Sequence, residues 1–465
     1  MNQDSSVVTL ADRLRTDVGG MRAGERLPSS RTLVERHKVS PVTVSRALGL
    51  LAAEGLVVTR PGSGTFAADR PAPAPGPTDL SWQSVALGER SVDASGVSWL
   101  LMPPPEGTIP LSGGYLHPSL QPLRDLAAAG ARAARRPDAW EAPPLNGISG
   151  LRSWFARSVG GDLTAADVLI TAGGQQALTS TLRALLPPGA PLLVESPTYL
   201  GVLAIARANG LQPVPVPIDA DGVRPDLLAE AFAMTGARVF YCQPTFSNPS
   251  GTRLTVERRA QVLAVARAAG AFVIEDDFAR FLAIEPAPAP MINHDTEGRV
   301  VYVAPVTKAT SASMRIAAVI ARGPVAERIR AIQMVEGFFP ARPLQEALLD
   351  LVSSPGWPRH LRTVRTALKS RRDALLTALA RELPQFRVDR PAGGPHMWAR
   401  LPDGIDDVAL AESALRAGVL VSAGRPFFPA EPPGPHLRIS FGSATSEAEL
   451  AEGVRRLAQA VSTTS

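Results

Sequence analysis

Six apolar runs rich in β-branched residues recur through the C-terminal four-fifths of the chain, separated by helical stretches. They are VLITAGG (168–174), PLLVES (191–196), RVFYCQP (238–244), AFVIEDD (271–277), VVYVAPV (300–306) and AAVIA (317–321). Strand and helix alternating in this way predict a parallel sheet covered by helices, an α/β fold, over a segment that starts near residue 110. Polar residues sit at the carboxyl ends of these runs. Ligands of open α/β sheets bind at that edge.

Each strand end carries a distinct chemistry. Ala172-Gly173-Gly174-Gln175 closes one run and opens the helix QQALTSTLRALL, so open backbone N–H groups and close-approach glycines make an anion cradle. Glu275-Asp276-Asp277 ends a buried strand, and adjacent carboxylates are expected off the core there; one could hold a protonated ring nitrogen. Asn248 lies in the turn FSNPSG and can donate to an oxyanion, while Tyr199 in SPTYLG can stack on a ring. Arg315 follows Lys308 by seven residues and can neutralise a phosphate. Arg438 interrupts the apolar strand pattern HLRISFG and calls for a buried anion.

Composition sharpens the reading of Lys308. Of 48 basic residues only Lys38, Lys308 and Lys369 are lysines. Lysine alone among the cationic side chains loses its proton readily enough to condense with a carbonyl, so a lysine kept in an arginine-rich chain asks for a chemical reason. Lys369, in LKSRR, is expected to face solvent. The single Cys242 excludes an internal disulfide and a multi-cysteine metal site, and it is expected in the core. No metal site is expected.

The first 68 residues have a different organisation. Val7, Leu10, Leu14 and Val18 recur at helical spacing up to Gly19-Gly20. A second helix is expected from Ser29 or Ser30, and a third after the cap Ser40 with Pro41 at its first position. LVVTR, the turn PGSG and TFAA then read as a hairpin. This order is that of a winged helix-turn-helix, a DNA reader. Nine Lys/Arg against six Asp/Glu make the segment basic within a chain of net charge +5. Residues 69–79, DRPAPAPGPTD, read as a semi-rigid linker.

Two resemblances follow. ERLPSSRTLVERHKVSPVTVSRALGLLAAEGLVVTRPGSGTFAA resembles the GntR family of bacterial repressors. The resemblance implies that Arg31, Lys38, Ser40, Thr43, Arg46, Gly62 and Ser63 face double-stranded operator DNA. The order TAGGQQAL, SPTY, PTFSNPSG, VIEDDF, TK with Arg315, GG(x)3W and LRISFG is similar to fold-type-I aminotransferases. It implies a large parallel-sheet domain, a smaller C-terminal α+β domain and the cofactor pyridoxal 5′-phosphate (PLP). By that resemblance Lys308 forms the internal aldimine, Asp276 pairs the pyridine nitrogen, Asn248 binds the ring oxygen and Tyr199 stacks. Gly173, Gly174, Gln175 and Arg315 hold the phosphate, and Arg438 takes an α-carboxylate. The fusion resembles the MocR subfamily of regulators. The domains expected are a reader at 1–68, a linker at 69–92 and an effector domain at 93–465, with a small subdomain from about 340.

Two positions depart from the aminotransferase pattern. Phe278 replaces a tyrosine that donates to the ring oxygen, and Pro305 replaces a serine that contacts phosphate. A tyrosine that often reaches the partner's phosphate is also missing from EAPPLNGISGLR. The expectation is therefore a PLP-holding regulator without sustained turnover, forming a head-to-tail homodimer and sensing an amine, an amino acid or PLP. The alternatives are a working aminotransferase with an accessory reader, and a regulator that has lost PLP. No apolar run of about 18 residues and no secretory leader pattern are present, so a cytoplasmic protein is expected.

Overall fold

Ser29 and Ser40 set the helix starts of the N-terminal unit. Ser29 Oγ accepts from the Thr32 amide and Ser40 Oγ from the Thr43 amide, with Pro41 in the first turn. Each cap satisfies an orphan N–H and contributes about 1 kcal/mol. The computed structural model describes residues 3–69, 79–87 and 103–464. In it α1 (Gln3–Gly19), α2 (Ser30–His37) and α3 (Pro41–Ala53) precede the hairpin β1 (Val57–Arg60) and β2 (Gly64–Ala67). Leu10, Leu14, Leu33, Val44 and Leu51 fill the core at 2% exposure or less. Lys38 ends α2 in the left-handed region at φ +53°.

The chain divides into two compact units, 1–90 and 91–465. Most of the expected linker, residues 70–78 and 88–92, lies outside the described residues. Within the expected linker, beyond its Pro/Ala-rich part at 69–79, Ser81–Leu87 forms a short helix.

The second unit is built on an eight-stranded sheet. From edge to edge the strands are Val168–Thr171, Ala317–Ile320, Val300–Pro305, Phe272–Asp276, Val239–Cys242, Pro191–Ser196, Gln212–Asp219 and Gly222–Val223. All six expected strands are present. The strand Ala317–Ile320 is antiparallel to both neighbours, so the sheet is mixed where a parallel one was expected. The strand Gln212–Asp219 was missed, because Pro213, Pro215 and Pro217 disqualify it by pattern. It pairs with Pro191–Ser196 over residues 212–217, and on its other side only Ile218 and Asp219 pair, with Val223 and Gly222. The prolines alternate, so Val214, Val216 and Ile218 supply the donors on the paired side.

Further along, a four-stranded sheet orders Arg387–Val388, His396–Arg400, His436–Ser440 and Ser422–Ala423. Helices Gly356–Glu382, Asp407–Arg416 and Glu447–Thr464 belong to the same C-terminal part. Cys242 is buried, as expected. Lys369 is exposed and pairs with Asp373. Among the described residues no helix is long and apolar enough to cross a membrane, and no cluster of His, Cys, Asp or Glu could hold a metal ion.

Candidate functional site

The first strand of the large sheet ends at Thr171, and Gly173 at φ +93° caps the helix Gly174–Leu185 without a side-chain cap bond. The first N–H groups of that helix are therefore left for an anion. The Arg315 guanidinium lies beside the turn, its Nη2 3.4 Å from Ala172 O. Gln176 Oε1 accepts from the Ala172 amide at 2.6 Å and fixes the turn. Pro305 ends its strand against Gly174: a Cβ there would stand 3.3 Å from Pro305 Cβ.

Asp276 ends the central strand Phe272–Asp276 and is 3% exposed. Its Oδ2 accepts from Tyr241 Oη at 2.7 Å and from Gln243 Nε2 at 2.8 Å. Burial pushes this carboxyl up to about 6; the two donors and Lys308 hold it down against that. Gln243 also accepts from the Asn248 amide at 3.0 Å, and its own amide donates to Glu195 at 2.8 Å. One side chain thus ties Asp276 to the Asn248 turn.

The neighbouring carboxylates correct the expectation that strand-end acids avoid the core. Glu275 and Asp277 are both buried. Glu275 pairs with Arg259 at 3.1 Å and accepts from the Met291 and Ile292 amides. Asp277 accepts from Tyr302 Oη at 2.7 Å and faces Arg280. Both are held by partners distant in sequence, which leaves Asp276 as the acid tied to Gln243, Asn248 and Lys308.

Lys308 Nζ donates to Gly114 O at 2.7 Å and lies 3.8 Å from the Tyr115 ring centroid. Burial, with Arg438 and Arg315 adding to it, pushes the amine down to about 7. Near neutral pH a large share is therefore the free nucleophile. Tyr199 Oη donates to Gln175 Oε1 at 3.2 Å, and its ring packs on Gly201, where a Cβ would lie 2.3 Å from it. Arg438, 1% exposed, donates to Ser112 O at 2.6 Å, Asn248 Oδ1 at 3.0 Å and Ser422 Oγ at 3.2 Å. No carboxylate among the described residues pairs with it, and its Nε is without a partner. Phe278 packs with Phe246 in a buried apolar cluster.

These residues fit PLP. The glycine cradle beside Arg315 suits a dianion, the carboxylate a ring nitrogen, and the depressed amine an aldehyde. The sequence missed Gly114, Tyr115, Tyr241, Gln243 and Glu195. Tyr241 and Gln243 bracket Cys242 in RVFYCQP, a run read only as a core strand; their polar ends were the available signal.

In the N-terminal unit Arg31, Lys38, Ser40, Arg46, Gly62 and Ser63 are exposed. Thr43 is 8% exposed and its hydroxyl pairs with Ser40 Oγ at 2.8 Å, so it is enclosed in the cap rather than presented outward. The hairpin turn is held by Gly62 at φ +74°, and the Arg60 guanidinium covers the Phe66 ring at 5.0 Å.

Comparison with known proteins matches residues 111–457 to aminotransferase class I and II, and residues 7–67 to bacterial regulatory proteins of the gntR family. A 2-aminoadipate transaminase of Thermus thermophilus is 31% identical, covering 82% of this chain and 98% of the relative. The HTH-type transcriptional regulator YdfD of Bacillus subtilis is 27% identical over 93% of this chain and 91% of its own. A protein of Rhizobium meliloti named as the probable rhizopine catabolism regulatory protein MocR is 26% identical over 91% of this chain and 87% of its own. Among solved structures, the α-aminoadipate aminotransferase LysN of Thermus thermophilus, complexed with N-(5′-phosphopyridoxyl)-L-leucine, superposes with a TM-score of 0.75 at 30% identity. That match covers 80% of this chain and 96% of LysN. An aminotransferase site on one unit and a gntR reader on the other are two halves of one known arrangement, and the chain belongs to the class I and II aminotransferase family as a MocR-type fusion with a GntR DNA-binding domain.

Proposed function

We propose that this protein is a PLP-dependent transcriptional regulator that binds operator DNA through residues 1–68 and senses an amine, an amino acid or PLP through residues 93–465. Residues 69–92 join the two, and the small subdomain starts at about 340. When bound, PLP supplies an aldehyde that reacts with amines and a ring that draws electrons. Gly173, Gly174, Gln175 and Arg315 would hold its phosphate, Asp276 its ring nitrogen, Asn248 its ring oxygen and Tyr199 its ring face. Lys308 is the residue it attaches to. Arg438 receives the carboxylate of an amino-acid ligand.

The observation that carries this reading is Arg438, a buried guanidinium with no acid partner among the described residues and an unused Nε. A buried charge of this kind is stable only with an anion nearby. In a chain that also carries a DNA reader, that anion is a signal. Phe278 and Pro305 remove a ring-oxygen donor and a phosphate donor of the family pattern, which favours sensing over turnover and loosens the hold on the cofactor. The protein acts in the cytoplasm as a head-to-tail homodimer. A ligand changes operator affinity only through its different affinity for two states of the protein.

The test is to incubate the purified PLP-loaded protein with L-amino acids and α-keto acids and follow the cofactor absorbance. A spectral change without turnover supports the regulator. Sustained keto-acid-dependent turnover at about 1 s⁻¹ or faster would establish the enzyme instead.

A further inference from the structure

His396 lies within the motif GG(x)3W, at one of the three positions that the motif leaves open. It belongs to the strand His396–Arg400, which pairs antiparallel with His436–Ser440 in the register His396 with Ser440 and Trp398 with Arg438. Residues two apart on a strand share a face, and diagonal neighbours on that face stand about 7–8 Å apart at Cα. His396 and Arg438 are such diagonal neighbours.

Both are buried, at 3% and 1% exposure. Both also hold a nitrogen that nothing satisfies: His396 Nδ1 and Arg438 Nε are buried atoms without a hydrogen-bond partner. An orphaned buried polar atom costs about 1–3 kcal/mol, and two on diagonal positions of one sheet face ask for a common partner. The rest of Arg438 is already fixed by Ser112, Asn248 and Ser422, with the Phe427 ring 5.0 Å from its guanidinium carbon. Trp398, on the same face, stacks on His436 with centroids 4.8 Å apart and leaves His396 unpaired. Burial, with the cations Arg438 and Lys308 adding to it, holds His396 well below the usual imidazole range and keeps the ring neutral. A neutral imidazole can still donate from Nδ1, and a carboxylate oxygen is the acceptor that two donors beside two cations would take.

We propose that His396 is the second contact for the anionic group that Arg438 receives, so that the pair selects ligands bearing a carboxylate next to the amine. This rests on the reading of Arg438 given above. His396 is a specificity residue that discriminates an amino acid from the corresponding amine; it takes no part in attachment of the cofactor.

The experiment uses the full-length PLP-loaded protein and the twenty common L-amino acids as probes, with binding followed by absorbance and calorimetry. Each responding amino acid is then compared with the amine that lacks its carboxylate. His396→Phe should weaken the amino acid at least 10-fold and leave both the amine and PLP retention within about 2-fold. His396→Asn, which places an amide nitrogen near the original Nδ1, should recover most of the loss. His396→Gln, whose nitrogen falls nearer Nε2, should not. Unchanged amino-acid affinity in His396→Phe, or equal loss for acid and amine, overturns the proposal. Should His396→Phe not fold, the contrast between Asn and Gln decides it. A wild-type protein that answers no amino acid defeats the reading of Arg438 as the receiver of a carboxylate, a result distinct from a response that His396→Phe leaves intact.

Discussion

Arg315 occupies the space that a side chain on residue 173 would need: a Cβ built on Gly173 would lie 2.6 Å from Arg315 Nη2 and 2.8 Å from its guanidinium carbon. Gly173 also sits at φ +93°, where L side chains are strained. The absent side chain is what lets a cation stand against the open end of a helix.

Gly173→Ala should therefore displace Arg315 and strain the turn, at about 1–3 kcal/mol. The expected outcome is a PLP dissociation constant raised roughly 10-fold or more with the circular dichroism unchanged. Dialysis of the loaded protein against PLP-free buffer checks it. Retention equal to wild type would remove the cradle from the phosphate site.

Lys308 is pushed down to about 7, against an ordinary lysine value near 10.4. Between these values the unfolded chain binds a proton that the folded chain does not, so stability rises with pH from about 7 to about 10. In PLP-free protein Lys308→Met should be more stable than wild type at neutral pH. The difference should shrink toward zero as pH climbs through that window. Denaturant midpoints across the pH range test this, and a flat difference would show the amine to be solvated. The same variant should lack the visible absorbance of attached cofactor.

Tyr241→Phe removes one of two donors to Asp276 Oδ2. Hydrogen bonds to charged groups contribute about 1.5–3 kcal/mol. Asp276 is already raised to about 6, so stability falls as pH rises from about 4 through 6, where the folded state must give up a proton. Losing a donor to the ionised form moves that fall to higher pH. The variant should lose more stability at pH 8 than at pH 4, as urea unfolding would reveal; equal losses would mean that Tyr241 acts by packing alone.

Arg259 and Glu275 form a pair at 3% and 0% side-chain exposure. Arg259→Leu leaves a buried carboxylate short of its cation and should cost about 3–5 kcal/mol. The double change Arg259→Leu with Glu275→Leu should recover part of that loss, since the uncompensated charge goes with its partner. Additive losses in a double-mutant cycle would show the two side chains to be energetically independent.

Arg46 is exposed on α3. Arg46→Ala should weaken binding to a promoter fragment that the wild-type protein retards and reduce the salt slope by about one ion. An unchanged slope, read by fluorescence anisotropy, would move the contact off this residue.

Much was legible in the sequence because local physics decided it. The caps Ser29 and Ser40 and the six apolar strand runs need only neighbouring residues to be read. Lys308, the run Glu275-Asp276-Asp277 and Arg438 stood out because a lysine in an arginine-rich chain, acids after an apolar strand and a cation inside one each violate local expectation. The strand Gln212–Asp219 stayed hidden because its prolines are acceptable only where one side of the strand goes unpaired along most of its length, a fact of sheet order rather than of pattern.

What the chain determined by itself was the fold class, the two modules and the kind of chemistry at each strand end. Which of three consecutive acids meets Lys308, and which arginine lacks an acid, was decided only in three dimensions. Glu275 and Asp277 find Arg259 and Tyr302 across the fold, whereas Asp276 meets Tyr241 and Gln243 from the next strand. His396 carried no local signal at all. Its meaning comes from an antiparallel register that sets it diagonally beside Arg438, because hydrogen-bond accounting closes only over groups that the chain brings together from far apart.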